Sequence, residues 1–184
     1  MTEAQLISDC QKGVKSSQYE LVKRYSGMLL SICRRYARDE SMAKDLLQET
    51  LIRVFKNIDK YEARGSFEGW MRTIAINRSL QWIEKSCFRH EMQPLRMPDD
   101  KTIEPEVYQN MSADDILELI KELPEGYRAV FNLNIVEGYS HREIGKLLNI
   151  TEATSRSQLT RARKLLKNQL EQKKKLIQPL KIRS

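Results

Sequence analysis

The chain has little of what catalytic and secreted proteins usually rely on. Of 184 residues only three are cysteine, Cys10, Cys33 and Cys87, and none forms a CxxC pair. Three thiols cannot all pair, so a disulfide framework is excluded and a reducing compartment is expected. Histidine occurs twice, at His90 and His141, and no HExxH, GxSxG or GxGxxG is present. Gly138 to Gly145-Lys146 approximates a phosphate loop, but the spacing is too long and Leu147 replaces the magnesium-binding hydroxyl. No catalytic residue, metal site or cofactor is expected. Apolar runs are short, as at Met28–Leu30, far below the ~20 residues a membrane span needs. The start, MTEAQLISDCQKG, is polar and opens like a helix cap rather than a secretory signal. The sequence thus predicts a cytoplasmic protein without membrane insertion.

Charge is what the chain has in excess. Lys and Arg number 32 against 25 acids, a formal charge of +7 that suits a polyanionic partner. Proline shows how the chain is organised: none of the five precedes Pro94, and Pro94, Pro98 and Pro105 crowd into one short stretch. That stretch, QPLRMPDDKTIEPEVYQN, holds two bases and four acids between two basic blocks. It reads as a linker over 93–111, separating a domain over 1–92 from a second over 112–172, with a basic tail over 173–184.

No segment alternates with period two, so strands are not expected. Capping-box spacing occurs at Thr2-x-x-Gln5, Ser17-x-x-Glu20 and Ser140-x-x-Glu143, and Ser41, Ser66, Ser112 and Thr151 are further N-cap candidates. Together they predict helices over 3–12, 18–38, 42–57, 67–89, 113–122, 125–137, 141–148 and 152–172. The fold class is all-α, two small helical domains.

In the C-terminal block, Ser140–Leu148 forms a short helix expected to turn Ile144, Leu147 and Leu148 inward. Gly145 permits close approach of a neighbouring helix, and Asn149 suits a left-handed end. After a tight turn Thr151 caps a second helix whose inner stripe is Ser155, Leu159, Ala162 and Leu166. Ala153, Arg156, Ser157, Thr160, Lys164 and Lys167 fall opposite. Residues 153–184 carry ten bases and one acid, whereas 111–152 carry four and eight. Two short helices, a tight turn and a basic second helix describe a helix-turn-helix that enters a DNA groove. The plain alternative is a helical hairpin with a solvated basic face.

In the N-terminal block the helix from Ser41 has Leu47, Leu51, Val54 and Ile58 as its core stripe. Its other face carries Asp45, Gln48, Glu49, Ile52 and Lys56. Like charges at Asp45 and Glu49 cost about 0.2–0.5 kcal/mol, and Ile52 stands exposed among them. A partner explains that face; a solvated surface with Glu49 paired to Arg53 explains it too. Over Lys60–Arg89, aromatics interleave with bases, a combination suited to stacking on unpaired bases while cations hold phosphates. The helix from Phe67 shows its apolar face passing from Phe67, Met71 and Ile74 to Ile76, Leu80, Ile83 and Cys87. Arg78, Trp82, Lys85 and Arg89 take over the first side. Phe67 and Trp70 equally suit a core.

DLLQETLIRVFKNIDKY, FEGWMRTIAINRSLQWI and LPEGYRAVFNLNIVEGYSHREIGKLLNITEATSRSQLTRARKLL resemble, in order and spacing, the extracytoplasmic-function sigma factors. The resemblance covers nearly the whole chain. It implies a dissociable subunit, not an enzyme, with core RNA polymerase and promoter DNA as partners and an anti-sigma factor of the kind many relatives have. The first domain would bind the clamp helices of the β′ subunit through Asp45, Gln48, Glu49 and Ile52. It would open the minus-ten element with Arg64, Ser66, Phe67, Asn77, Arg78, Trp82 and Lys85, the loop Tyr61–Gly69 capturing a flipped base. The second would touch the β flap and read the minus-thirty-five element with Thr154, Arg156, Ser157, Thr160, Arg161 and Lys164. Asp99, Asp100, Glu104 and Glu106 suit a linker running through a basic polymerase channel. Two positions depart from the family pattern: Ser155, where many members have Val, and Gln158, where many have a base. Two rival readings are a stand-alone helix-turn-helix regulator of duplex DNA and a metal-dependent nuclease using Asp39, Asp45 and Glu49.

Overall fold

The computed structural model describes residues 1–87 and 113–177, and among these the regular structure is helical, with no strand. Contacts divide the chain into two compact units, Met1–Trp82 and Ile83–Ser184. The linker expected over 93–111, the boundary near 92, the Ser112 cap and residues 178–184 lie outside the described residues.

The first unit comprises α1 (Glu3–Gln11), α2 (Lys15–Tyr36), α3 (Glu40–Asn57), a single 3-10 turn (Ile58–Lys60) and the body of α4 (Phe67–Cys87). Thr2 caps α1 through the Gln5 amide, but the Gln5 side chain donates to Asp9 rather than closing a box. The Ser17 box does not form. Helix α2 begins three residues earlier, at Lys15, because Gly13 at φ +77° turns the chain directly out of α1 and leaves Ser17 buried inside the helix. Likewise the cap of α3 is Asp39, whose carboxylate accepts from the Met42 amide at 2.8 Å, not Ser41. Asp outranks an exposed Ser two residues too late because its charge also complements the helix N-terminus.

The buried ridge of α3 is Ala43, Leu46, Thr50 and Val54, with Ile58 following; Leu47 and Leu51 are only partly buried. A threonine joins the ridge because its hydroxyl donates to the Leu46 carbonyl at 2.7 Å and brings no unmet polar group into the core. Ser79 of α4 does the same to the Ala75 carbonyl at 2.9 Å. With Ala75 and Ser79 both fully buried, the apolar face of α4 drifts continuously from Phe67 and Met71 to Ile76, Leu80 and Ile83. The expected exchange of faces does not occur, since two small residues fill the gap that reading large side chains alone creates.

Four rings gather where α4 begins. Phe67 stacks on Trp70 with centroids 5.5 Å apart and meets Tyr25 and Tyr61 edge-on at 5.7 and 5.1 Å. Burial pushes the Tyr25 hydroxyl up to about 12, aided by its hydrogen bond to Glu3 at 2.7 Å, which ties α1 to α2. Burial also pushes the Cys33 thiol up to about 11 and raises that of Cys10. At neutral pH both are therefore unreactive thiols.

The second unit contains α5 (Ala113–Lys121), α6 (Glu125–Phe131), a π-helical turn (Asn132–Val136), α7 (His141–Leu148) and α8 (Glu152–Ile177). The helix expected over 125–137 is thus two geometries, the second closed by the Glu137 amide on the Asn132 carbonyl at 3.0 Å. Fully buried Arg128 donates to the Lys121 carbonyl at 2.7 Å, satisfying the end of α5. The Ser140 capping box forms in both halves, and the Ser140 hydroxyl and amide together hold the Glu143 carboxyl below its usual range. Asn149 takes the left-handed conformation, φ 53°, that ends α7. Leu147, expected inward, is exposed; Ile144 alone of the expected trio is fully buried. Helix α8 runs five residues past 172, into the segment expected as a tail.

Gly145 is required by the turn itself rather than by a neighbouring helix. A Cβ there would stand 2.8 Å from the Ile150 carbonyl oxygen, a backbone atom that cannot move aside. Gly145→Ala should therefore destabilise the second unit by about 1–3 kcal/mol, measured as a lower urea midpoint. Removing the ring at the centre of the aromatic cluster, Phe67→Ala, should cost about 3–5 kcal/mol in the first unit by the same measurement. Native-state alkylation followed by mass spectrometry should leave Cys10 and Cys33 unmodified, while unfolded chain reacts at both.

Candidate functional site

Three surfaces gather the residues singled out in the sequence. On the first, α3 turns Asp45, Gln48 and Ile52 to solvent, because its buried ridge occupies the opposite side. Ile52 is 47% exposed, a large apolar side chain that folding leaves wet. A groove of about 410 Å³ runs beside it, lined by Asp39, Ser41, Met42, Asp45, Leu46, Gln48, Glu49 and Trp82. Trp82, expected to back a DNA strand, lies half-buried against the apolar cluster of Cys33, Ala37, Met42, Ala43 and Leu46 and walls this groove. Glu49 is bound by Arg78 of α4, whose Nε and Nη2 both donate to Glu49 Oε2. Neither the solvated Glu49 nor its pairing with Arg53 is what forms. Arg78, expected on minus-ten DNA, is only 12% exposed, so its work in the isolated chain is to hold α3 to α4.

Of the carboxylates in the nuclease alternative, Asp39, Asp45 and Glu49 all line this groove, but that of Asp39 accepts from the cap of α3 and that of Glu49 is bound by Arg78. Among the described residues no group of three His, Cys, Asp or Glu side chains is placed to hold a metal.

The second surface is the loop before α4 and the outer side of that helix. The Tyr61 hydroxyl donates to the Gly65 carbonyl at 2.7 Å, closing the loop over the aromatic cluster. Ala63 at φ 55° and Gly65 at φ 152° bend it outward, leaving Glu62, Ala63, Arg64, Gly65 and Ser66 exposed. Ser66 caps α4, accepting from the Gly69 amide at 3.0 Å, and a Cβ on Gly69 would lie 2.9 Å from that hydroxyl. Arg64 pairs with Glu62 at 2.8 Å, both exposed, a contact weak enough to yield to a ligand. Asn77 stands exposed on α4 and makes no hydrogen bond to a described residue, which leaves its amide free to donate and accept. Phe67, expected among the DNA contacts, is withdrawn from them: its ring is fully buried and supports the loop from below. The side chain of Lys85 lies outside the described residues.

The third surface is α8. Thr151 caps it through the Thr154 amide at 3.0 Å and shares a 2.8 Å hydrogen bond with the Thr154 hydroxyl. Arg156, Ser157, Thr160 and Arg161 are exposed, and Lys164 is half-buried. Arg156 pairs with Glu152 at 2.5 Å, Ser157 donates to the Thr154 carbonyl, and Thr160 donates to that of Arg156. Such local partners are exposed and exchangeable. Arg161 reaches the Tyr127 hydroxyl at 3.5 Å. The two departures from the family pattern point inward: Ser155 is fully buried on His141, and Gln158 packs against Gly126 of α6. Neither is a base-contacting position. His141 was not among the expected site residues; a lone hydroxyl in an apolar stripe was the signal that it needed a partner.

No helix among the described residues is long and apolar enough to cross a membrane. Sigma-70 region 2 matches residues 21–86 and Sigma-70, region 4 matches residues 113–166, together more than half the chain. An ECF RNA polymerase sigma factor, SigE, of Mycolicibacterium smegmatis is 31% identical over 82% of this chain, which spans 60% of that protein. The ECF sigma factor SigW of Bacillus subtilis is 26% identical over 89% of this chain and 94% of its own length. The sigma factor RpoE of Bartonella quintana, solved with the anti-sigma factor NepR, shares the fold with a TM-score of 0.53 at 20% identity, covering 83% of this chain and 96% of that one. With both conserved regions present in order on two helical units, the chain belongs to the extracytoplasmic-function sigma factors of RNA polymerase.

Proposed function

We propose that the chain, an alternative sigma factor that directs RNA polymerase to promoters, does so through three separate surfaces. Asp45, Gln48, Glu49 and Ile52 form the polymerase-binding face. The observation that carries this is Ile52, left wet on an acidic helix face beside a groove. Burying it against a partner recovers roughly 1.5–3 kcal/mol of apolar transfer energy. Arg64, Ser66 and Asn77 serve the opened minus-ten element. Extruding a base costs a few kcal/mol, which stacking at about 1–3 kcal/mol per base helps offset. Arg156, Ser157, Thr160 and Arg161 reach base edges of the minus-thirty-five element, with Thr154 and Lys164 on the phosphates. The basic face adds salt-dependent attraction to both strands.

On this reading the chemistry of RNA synthesis belongs to the polymerase, and the chain adds no catalytic step, metal or cofactor of its own. Its place of work is the cytoplasm, with DNA and core enzyme. The β′ clamp helices and β flap are the polymerase elements it meets. The Bartonella relative is held by an anti-sigma factor, and an inhibitor of that kind is proposed here too. The acidic linker, Asp99 to Glu106, would lie in a basic channel of the polymerase.

Two experiments separate the surfaces. Asp45→Lys with Ile52→Ala should reduce core-polymerase capture in a pull-down by at least about tenfold, with the melting temperature nearly unchanged because both residues are exposed. Glu49→Lys is avoided, since it also breaks the bond to Arg78. Undiminished capture would remove α3 from the interface. Asn77→Ala should leave capture intact while lowering run-off transcription on duplex promoters by about tenfold or more, a loss that a pre-melted minus-ten template partly restores. Full output on duplex templates would return Asn77 to an ordinary surface residue. Tight, sequence-specific binding of duplex DNA by the chain alone, without polymerase capture, would favour the stand-alone regulator.

A further inference from the structure

The inner stripe of α8 is apolar at Leu159 and Ala162 but begins with a hydroxyl, Ser155, that is fully buried. A buried hydroxyl without a partner disfavours the fold that holds it. Here the partner comes from the preceding helix: His141 Nδ1 lies 2.9 Å from Ser155 Oγ. His141 is the first residue of α7, immediately after the Ser140 capping box, and Ser155 lies in the first turn of α8. Near the other end of α7, Gly145 lies against the Ile150 carbonyl at a distance only glycine tolerates. One close approach leaves a helix free to swing about it. A second, directional contact at the far end of α7 removes that freedom. Arg156 and Ser157 follow Ser155 directly, so any swing displaces the base-facing side chains first.

We propose that His141 is a positioning residue of the recognition helix: through its hydrogen bond to Ser155 it fixes the angle of α8 on α7 and so sets base preference at the minus-thirty-five element. The proposal rests on the sigma-factor reading above. Neither side chain reads DNA itself. Ser155 is enclosed, and His141 acts from the neighbouring helix. A polar pair does this work, and each partner requires the other.

Run-off transcription with core RNA polymerase on duplex promoters randomised across the minus-thirty-five element measures preference separately from total output. Ser155→Ala and His141→Phe should each lower the ratio between the best sequence and its single-base variants by about fivefold or more. The double variant should lose no more than either single one, because both remove the same contact. Ser155→Thr keeps a hydroxyl and should keep the preference. Circular dichroism identifies any variant that fails to fold, and Ser155→Val, which fills the space without a hydroxyl, then takes its place with the same loss expected. Nitrogen-15 NMR of the full chain gives a readout independent of polymerase: Ser155→Ala should shift the His141 Nδ1 resonance. Unchanged preference in folded variants, additive losses, or an unmoved resonance would overturn the proposal. Failure of the unmodified chain to support polymerase-dependent transcription would instead strike the sigma-factor reading; the same library selected by the chain alone would then report on the contact.

Discussion

The ion pair between Glu49 and Arg78 is the tie on which the surfaces of the first unit depend. It joins α3, which carries the exposed Asp45, Gln48 and Ile52, to α4, which carries the exposed Asn77. Each helix buries one side and must leave the other unpaired for a ligand. Packing alone holds the buried sides together without fixing how far one helix slides along the other. A charged, directional bond between side chains near that interface fixes the register. Because Arg78 is almost enclosed while Glu49 remains partly wet, the arginine depends on the pair more than the glutamate does. An Arg left there without its carboxylate would be a costly buried charge.

The second unit solves the same problem with a single side-chain hydrogen bond. His141 and Ser155 lock α7 to α8, and the Gly145–Ile150 approach sets the turn between them. In both units the residues proposed to meet a partner are mostly exposed and weakly engaged, whereas those beneath them are buried and bonded. Arg64 holds Glu62 and Arg156 holds Glu152 on the surface, contacts worth at most about 1 kcal/mol and readily exchanged for a phosphate or base edge. Arg128, by contrast, is enclosed and spends a donor on the end of α5. Exposure and partner, rather than residue type, separate the available arginines from the structural ones.

The loop before α4 shows how an exposed recognition element can be polar and still defined. Its tip residues touch almost nothing, yet its base is the four-ring cluster around Phe67, and the Tyr61 hydroxyl closes it on the Gly65 carbonyl. The strained backbone at Ala63 is held by that closure and by the Ser66 cap on either side. Removing the Phe67 ring would therefore affect a loop whose own closure, Tyr61 on Gly65, is untouched.

Much of this was legible in the sequence because it follows from local periodicity and capping. The all-α class, the Ser140 box, the left-handed Asn149 and the outward face of α3 depend on residues within one or two turns of each other. Three motif blocks in order carried the family. What the sequence left open were choices among the polar partners that the fold brings within reach. Glu49 had Arg53 available one turn away and took Arg78 instead; Ser79 and Thr50 entered the core because a carbonyl one turn back met their hydroxyls. Arg78 carries the composition of a nucleic-acid surface, and only tertiary packing turned it into a tie, whereas the core reading of Phe67 agrees with its burial. Periodicity tells which side of a helix is apolar, but a polar side chain becomes structural or available according to what the fold brings within hydrogen-bonding reach of it.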